Sequence, residues 1–304
     1  MKIGNVNIDY SYYTGNDLYC DGDVENEILD IVKNNHKSEF NRIIAERNKW
    51  PILYHLSHIR ENILSWYPFE GDADVLEIGS GCGAVTGAVA ARAGSVTCIE
   101  LSEKRSMINA YRNKEYDNIT IKLGNFQEVE KHLEEKYDYI TLIGVLEYAN
   151  VYIDSEEPYS SFLEIVGNHL KPEGKLIIAI ENRMGMKYWA GCREDHVGYF
   201  YEGIEGYANT DGAKTFSKIE LEKLFKRAGF NKYNFYYPYP DYKFPSTIYS
   251  DEYLPKIGQL NRNTCNLDAD RMLLFNESLV FDKLIEDEIF PMFSNSFLVE
   301  VQRG

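Results

Sequence analysis

The chain has 304 residues, 44% of them hydrophobic and 26% charged, ordinary globular usage that excludes fibrous repeats and wholesale disorder. Thirty-two Lys and Arg against 48 Asp and Glu give a net charge of −16, so phosphate backbones are repelled and nucleic acid is an unfavourable partner. Five scattered cysteines (Cys20, Cys82, Cys98, Cys192, Cys265), no signal-peptide core and no apolar run near the ~20 residues of a membrane span predict a soluble cytoplasmic protein with reduced thiols.

Residues 23–66 read as helical. Pro51 suits a first helical position, and Ile52, Leu53, Leu56, Ile59, Ile63 and Leu64 keep a 3.6-residue period. That pattern predicts an N-terminal helical cap region over 1–66, with Tyr54, His55 and His58 on other faces of the helix. From residue 74, short β-branched runs alternate with helical patterns, which argues for a parallel sheet covered by helices. The strands read Asp74–Ile78, Ser95–Leu101, Ile119–Leu123, Tyr139–Ile143 and Lys175–Ile180, with helices at 84–93, 103–114, 127–135 and 160–170 between them. Pro172-Glu173-Gly174 is a turn signal ahead of the fifth strand. Residues 217–229 form a helix with Ser217 and Glu220 as a capping box. A strand at Asn231–Pro238 and a terminal strand at Ser296–Arg303 enclose an insertion at 239–292. The main domain is therefore 67–304.

The strongest local signal is Asp74-Val-Leu-Glu-Ile-Gly-Ser-Gly-Cys-Gly-Ala84, a buried strand entering a glycine-rich turn before a helix. Gly79, Gly81 and Gly83 let the backbone turn tightly and approach a ligand, and a helix N-terminus offers free N–H groups. Glu100 closes the next strand, where a carboxylate can accept hydrogen bonds from both hydroxyls of a ribose. These features by themselves fit a nicotinamide dinucleotide or S-adenosylmethionine equally, since both present an adenosine ribose.

Here the sequence resembles the class I S-adenosylmethionine-dependent methyltransferases, over residues 74–238 and the terminal strand. Their first motif, an acid followed by spaced glycines, matches Glu77-Ile-Gly79-Ser-Gly81-Cys-Gly83 without a gap. The resemblance extends to Glu100, to Tyr137–Tyr148 and to the turn Leu170–Gly174, and departs at Gly124-Asn125, where the family usually has Gly-Asp. It implies a Rossmann-like seven-stranded sheet, parallel with an antiparallel last strand, and S-adenosyl-L-methionine as cofactor, leaving as S-adenosyl-L-homocysteine. The implied cofactor contacts are Glu77, Gly79, Ser80, Gly81, Gly83, Glu100, Leu101, Asn125, Phe126 and Gly144, with Tyr54 reaching in from the cap. Tyr239-x-x-x-Lys243 has the spacing of a short-chain dehydrogenase pair, but that pair needs a helix and Pro240 argues against one.

Methyl transfer to oxygen needs alignment and a base. Ligands of open α/β sheets bind at the carboxyl ends of the strands, which nominates Glu147 and, from the long loop after the fifth strand, His196 as catalytic residues. Arg183, Tyr188 and Trp189 on that loop are candidates for substrate binding. The segment ENR…DH…EGY…TF resembles bacterial methyltransferases associated with surface-polysaccharide biosynthesis, which implies an oxygen of a saccharide or related metabolite as acceptor. The acceptor site is then expected between the loop 182–214 and the insertion. Nine aromatics in 231–254, where the chain average predicts about three, offer stacking faces or a core. The competing use of the insertion is as a homodimerisation arm. His55-x-x-His58 and Cys192-x-x-x-His196 lack further ligands at a zinc spacing, so no metal is expected. Two readings stand: a small-molecule methyltransferase, and a non-catalytic cofactor-binding or regulatory protein with the same fold, towards which only Asn125 leans.

Overall fold

Seven strands are the expectation; the structure, a computed structural model, has ten among the described residues. It describes residues 1–15, 22–263 and 270–304, so Cys20 and Cys265 lie outside the described residues, while Cys82, Cys98 and Cys192 are buried free thiols. By its contacts the chain divides into two units, Met1–Ile143 with His169–Lys175, and Gly144–Asn168 with Leu176–Gly304.

The first unit contains β1 (Lys2–Ile3), β2 (Val6–Asp9), β3 (Asp74–Ile78), β4 (Ser95–Glu100), β5 (Ile119–Leu123) and β6 (Tyr137–Ile143), in the order β1-β2-β5-β4-β3-β6. All neighbours from β2 to β6 are parallel, and β1 and β2 form an antiparallel hairpin. That hairpin is two of the three unforeseen strands, because segments of two and four residues are too short to show a period of two. The remaining strands of this unit, β3 to β6, fall on or within two residues of their expected bounds.

The N-terminal region is helical as expected, but in shorter pieces: Val24–Asn34, Phe40–Arg47 and Trp50–Leu56. Asn48 ends the second piece in the left-handed conformation, at φ 46°. The periodic stretch 51–64 is not one helix. At Ser57 the backbone turns extended and its hydroxyl accepts the Ile59 N–H, starting a separate 3-10 turn over His58–Ile63. Ile28, Ile31, Val32, Phe40, Ile52 and Leu56 form one buried cluster with Cys82 of the glycine loop and Ile108 of the helix Glu103–Arg112. The N-terminal helices are thus part of this unit's core.

Strand β7 (Leu170–Glu181) begins in the first unit and ends in the second. The expected turn at Pro172–Gly174 is instead strand; a Cβ on Gly174 would lie 2.8 Å from the Tyr137 carbonyl oxygen, so the glycine serves a close backbone approach. In the second unit β8 (Phe230–Tyr239), β9 (Thr247–Ser250) and β10 (Ser296–Arg303) complete the order β7-β10-β8-β9, every pair antiparallel. The terminal strand therefore inserts between β7 and β8, as expected, with Val299 opposite both Ile178 and Phe235. The helix Lys218–Arg227 carries the expected capping box from Ser217 and Glu220. The insertion holds β9 and the helices Glu277–Glu286 and Phe290–Phe293. Of the nine aromatics in 231–254, five serve as core: Phe235, Tyr237, Tyr239, Tyr242 and Tyr249 are buried, and Tyr237 packs edge-on against Phe290 at 5.6 Å.

In the first unit the Arg105 Nε lies 2.7 Å from Glu25 Oε1, with side chains 10% and 0% exposed. Removing one partner of such a buried pair leaves a desolvated charge, so Glu25→Ala should lower the unfolding free energy by ~3–5 kcal/mol in urea titrations, and Glu25→Gln by less.

Candidate functional site

The glycine loop joins β3 to the helix Thr86–Ala90 within the first unit. Gly79, Gly81 and Gly83 have φ of 70°, 53° and 72°, values that side chains with a Cβ avoid. The glycines differ in purpose. A Cβ on Gly83 would fall 2.3 Å from Asn109 Oδ1, so this position admits the neighbouring helix. A Cβ on Gly81 would meet nothing within 4 Å, so that stretch of backbone borders open space. Ser80, between them in the turn, is buried.

Two carboxylates flank the loop. Glu77 points into the unit, its Oε2 accepting from Thr86 Oγ1 at 2.6 Å and facing Cys98 Sγ at 3.5 Å. Burial pushes its pKa up to about 7, against those two donors, which pull it down. Glu77 therefore secures the start of the helix from below. Glu100 is different: its Oε2 accepts the Gly81 N–H at 2.7 Å and its Oε1 the Ser102 N–H at 2.9 Å. Burial raises its pKa despite those backbone donors and Arg105. Each carboxylate oxygen can accept a second bond, so Glu100 is anchored with acceptor capacity left for ribose hydroxyls. Leu101, directly after it, is half-buried.

Asn125 Oδ1 accepts the Gln127 N–H at 3.0 Å and caps the short helix Phe126–Val129. Asn and Asp cap equally well, so the departure from Gly-Asp preserves this function of the position. Phe126 is half-buried. Tyr54 lies under the Arg60 guanidinium, 4.2 Å from its ring centroid, and its hydroxyl accepts from Arg60 at 3.3 Å. Gly144 falls in the second unit, where a Cβ on it would lie 2.8 Å from Tyr242 Oη and 3.5 Å from Glu147 Oε1.

The second unit holds a buried polar cluster drawn from four segments. Glu147, four residues beyond β6, is 1% exposed and its Oε2 has no hydrogen-bond partner among the described residues. Burial pushes its pKa up to about 8; His196 opposes and Glu181 adds to this. Glu181, the last residue of β7, is wholly buried. Burial would raise its carboxyl, but the Lys243 ammonium at 2.8 Å and His196 Nε2 at 3.4 Å outweigh that and hold it well below the usual range. Lys243 also meets Asp195 Oδ1 at 2.6 Å, and Asp195 Oδ2 lies 2.8 Å from Lys187 Nζ. Carboxylates and ammoniums thus alternate, each buried charge facing its opposite. For His196, burial would lower the pKa, yet Glu181 and then Glu147 raise it to about 9. Its loop is pinned by Glu194 Oε2, which accepts the backbone N–H groups of His196 and Val197 at 2.7 and 2.8 Å.

Glu147 and His196 are therefore brought together, and loop and insertion do meet, through Lys243 to Asp195 and Lys187 to Asp241. The three residues expected to contact the acceptor have these partners within the unit. Arg183 forms a two-point pair with Glu220, at 2.7 and 3.1 Å, tying the loop to a helix start. Tyr188 is only 2% exposed and donates its hydroxyl to Asp195. Trp189 is exposed, its indole N–H directed to the Met184 carbonyl at 3.3 Å. Lys243 is the member that sequence reasoning set aside, in a discarded dehydrogenase spacing. Glu181 stands at the carboxyl end of a strand expected to face the acceptor, though it was given no role of its own. Among the described residues, ligand atoms of Glu147, Glu181 and His196 lie within 4.8 Å of one another, as a metal would require. The Lys243 ammonium already supplies positive charge there. Tyr239 and Lys243 form no dehydrogenase pair, since the Tyr239 hydroxyl bonds Asn263 Oδ1 at 2.9 Å.

Residues 76–176 match the family model of a methyltransferase domain. Over 102 residues the chain is 30% identical to ribosomal RNA small subunit methyltransferase A of Syntrophus aciditrophicus (strain SB), which is 34% of this chain and 34% of that protein. The chain thus spans about a third of the length of that curated relative. Among solved structures it is similar to an S-adenosylmethionine-dependent methyltransferase from Archaeoglobus fulgidus, with TM-score 0.50, 14% identity and coverage of 83% of this chain and 99% of that one. A possible histamine N-methyltransferase from Thermotoga maritima gives TM-score 0.47, 16% identity and coverage of 88% and 100%. The fold is the Rossmann-like fold seen in class I methyltransferases, with a mixed sheet. Among the described residues no helix is long and apolar enough to cross a membrane.

The anchored Glu100 and the open backbone at Gly81 fit S-adenosyl-L-methionine, the cofactor expected from the sequence. Losing one charge-assisted bond costs ~1.5–3 kcal/mol, so Glu100→Ala should weaken S-adenosyl-L-homocysteine binding on the order of 10- to 100-fold by calorimetry.

Proposed function

We propose that the chain is an S-adenosyl-L-methionine-dependent methyltransferase that methylates an oxygen of a small polar acceptor, a saccharide or related metabolite. The observation that carries this reading is the buried cluster of Glu147, Glu181 and His196 in a chain that also has the glycine loop and Glu100. A hydroxyl acceptor must lose a proton, and a buried imidazole backed by a carboxylate is the arrangement that takes one. When bound, the cofactor supplies a methyl group on a positively charged sulfur, open to displacement by a lone pair in line with the carbon–sulfur bond.

The residues of the chain divide the remaining work. Gly79, Gly81 and Gly83 let the backbone come close to the cofactor, and Glu100 holds its ribose. His196 is where the proton released by the acceptor's deprotonation comes to rest, Glu181 steadies the resulting imidazolium, and Glu147 tunes the pair through its own proton. Packed polar walls from loop and insertion exclude water. Saccharide as the acceptor class rests on the likeness of the loop segment and on the polar lining. An RNA acceptor, the substrate named for the Syntrophus relative, gains nothing from a match confined to 102 residues, and the −16 charge opposes it. A non-catalytic role loses its one supporting feature, because Asn125 caps its helix as an Asp would.

The test is incubation with methyl-labelled S-adenosyl-L-methionine and a small-metabolite extract, following which species gains label; label on no species, with cofactor binding intact, removes the enzymatic reading. The sign of the pH dependence follows from the cluster. His196 with a pKa near 9 and Glu147 near 8 both hold protons at neutrality, and a base must be free of its proton. Transfer should therefore rise as pH goes from about 7 to about 9 and level off above. His196→Ala should abolish that rise and cut transfer by ~10²–10⁴-fold. A transfer rate that falls over the same interval contradicts the assignment.

A further inference from the structure

The imidazole of His196 has no free nitrogen. Nε2 faces Glu181 Oε2 at 3.4 Å, and Nδ1 lies 3.2 Å from the Tyr148 hydroxyl, with the two rings edge-on at 5.5 Å. Glu181 as a carboxylate only accepts, so the proton on that side belongs to Nε2. Nδ1 then accepts from the Tyr148 O–H when the ring is neutral and donates to the phenol oxygen when it is charged. Glu181 is wholly buried, whereas His196 and Tyr148 are both only partly buried. With Glu181 and Tyr148 on its two nitrogens, the imidazole sits between the other two members.

We propose that Tyr148 is the catalytic residue that meets the acceptor, as the outer member of a Tyr148–His196–Glu181 relay. This rests on the methyltransferase reading and names the group that touches the substrate. The acceptor O–H bond breaks as its oxygen bonds the methyl carbon, whose bond to sulfur breaks with the pair left on sulfur. The acceptor's proton goes to Tyr148 Oη while the phenol proton passes to His196 Nδ1, giving an imidazolium against the Glu181 carboxylate. The roles are those of a nucleophile–His–acid triad, with the phenol as a proton carrier in place of a nucleophile. A hydroxyl is the acceptor that such a relay serves; a sulfur or carbon already deprotonated would not need it.

The groups that face His196 come from every neighbouring element: Glu147 and Tyr148 after β6, Glu181 from β7, and Glu194 from its own loop. Asp195, Lys187 and Lys243 face Glu181 or one another at one remove. Lys243 and Lys187 together offset Asp195 and Asp241, so they fix the charge on Glu181 without supplying a proton to the relay.

The test uses the full chain labelled with nitrogen-15 at histidine. Tyr148→Phe keeps ring and volume, and its unfolding midpoint and S-adenosyl-L-homocysteine affinity serve as controls. The Nδ1 resonance of His196 should shift in Tyr148→Phe with Nε2 little moved, whereas Glu181→Gln should move Nε2 and lower the His196 pKa. Label transfer from S-adenosyl-L-methionine to the small-metabolite extract should fall ~10²-fold or more in Tyr148→Phe. Fluorotyrosine at 148 retains the hydrogen bond but acidifies the phenol, so the midpoint of the pH–rate curve should move down, which a purely structural hydroxyl would not cause. The relay is overturned when Tyr148→Phe leaves the Nδ1 resonance and the His196 titration unaltered. It is equally overturned when Tyr148→Phe retains transfer that His196→Ala loses, since the acceptor would then meet the imidazole itself. Absence of cofactor binding by the unaltered chain would defeat the methyltransferase reading, while the nitrogen resonances would still decide the relay.

Discussion

A carboxylate buried at the end of a strand is the constraint on which the second unit turns. Glu181 is fully enclosed, and an uncompensated charge in that position costs several kcal/mol. The compensation arrives from two directions along the sequence, His196 from the long loop after β7 and Lys243 from the start of the insertion. Each newcomer brings a further charge to satisfy. Lys243 engages Asp195, Asp195 engages Lys187, and Lys187 reaches Asp241. One buried acid thereby dictates where both irregular segments must lie. The loop and the insertion look unrelated in sequence, yet the same charge holds them.

The glycine loop answers a different demand, backbone proximity. Its three glycines share a left-handed conformation, but their surroundings separate them. Gly83 makes room for Asn109, whereas Gly81 borders open space. Only the second arrangement leaves backbone accessible to a ligand, and it is the Gly81 N–H that anchors Glu100. The acid of the first motif, Glu77, works instead on the protein, through Thr86. Two carboxylates that look alike in sequence therefore divide into one held by side chains and one held by backbone N–H groups. Electrostatics follow the same division. Both are raised by burial, but Glu77 meets side-chain donors and Glu100 meets backbone donors that hold its direction.

Proton chemistry in the second unit depends on coupling rather than on any single group. Glu147 and His196 each raise or lower the other, and Glu181 influences both. Groups so linked lose protons as a set. The unpartnered Oε2 of Glu147 marks the point where the network is incomplete, as polar groups at functional sites often are.

Local pattern determined much of this protein. The strand–glycine–helix motif, Glu100 at the end of β4, the capping box at Ser217 and Glu220, and the antiparallel terminal strand all depend on residues close in sequence or on a period of two. Glu147 and His196 were also legible, as an acid after a strand and a histidine in an unusually long loop. What pattern missed was of two kinds. Short strands β1, β2 and β9 carry too few residues for a period, and the stretch after Ser57 broke its helix through a side-chain bond that competes with the backbone. Residues whose function comes from distant partners were the second kind. Tyr188 and Arg183 read as substrate contacts until Asp195 and Glu220 were seen to engage them, and Lys243 read as a decoy until Glu181 lay beside it. Which charged groups are buried together depends on segments tens of residues apart, and only the tertiary structure decides that, because the cost of desolvating a charge is set by what surrounds it in space.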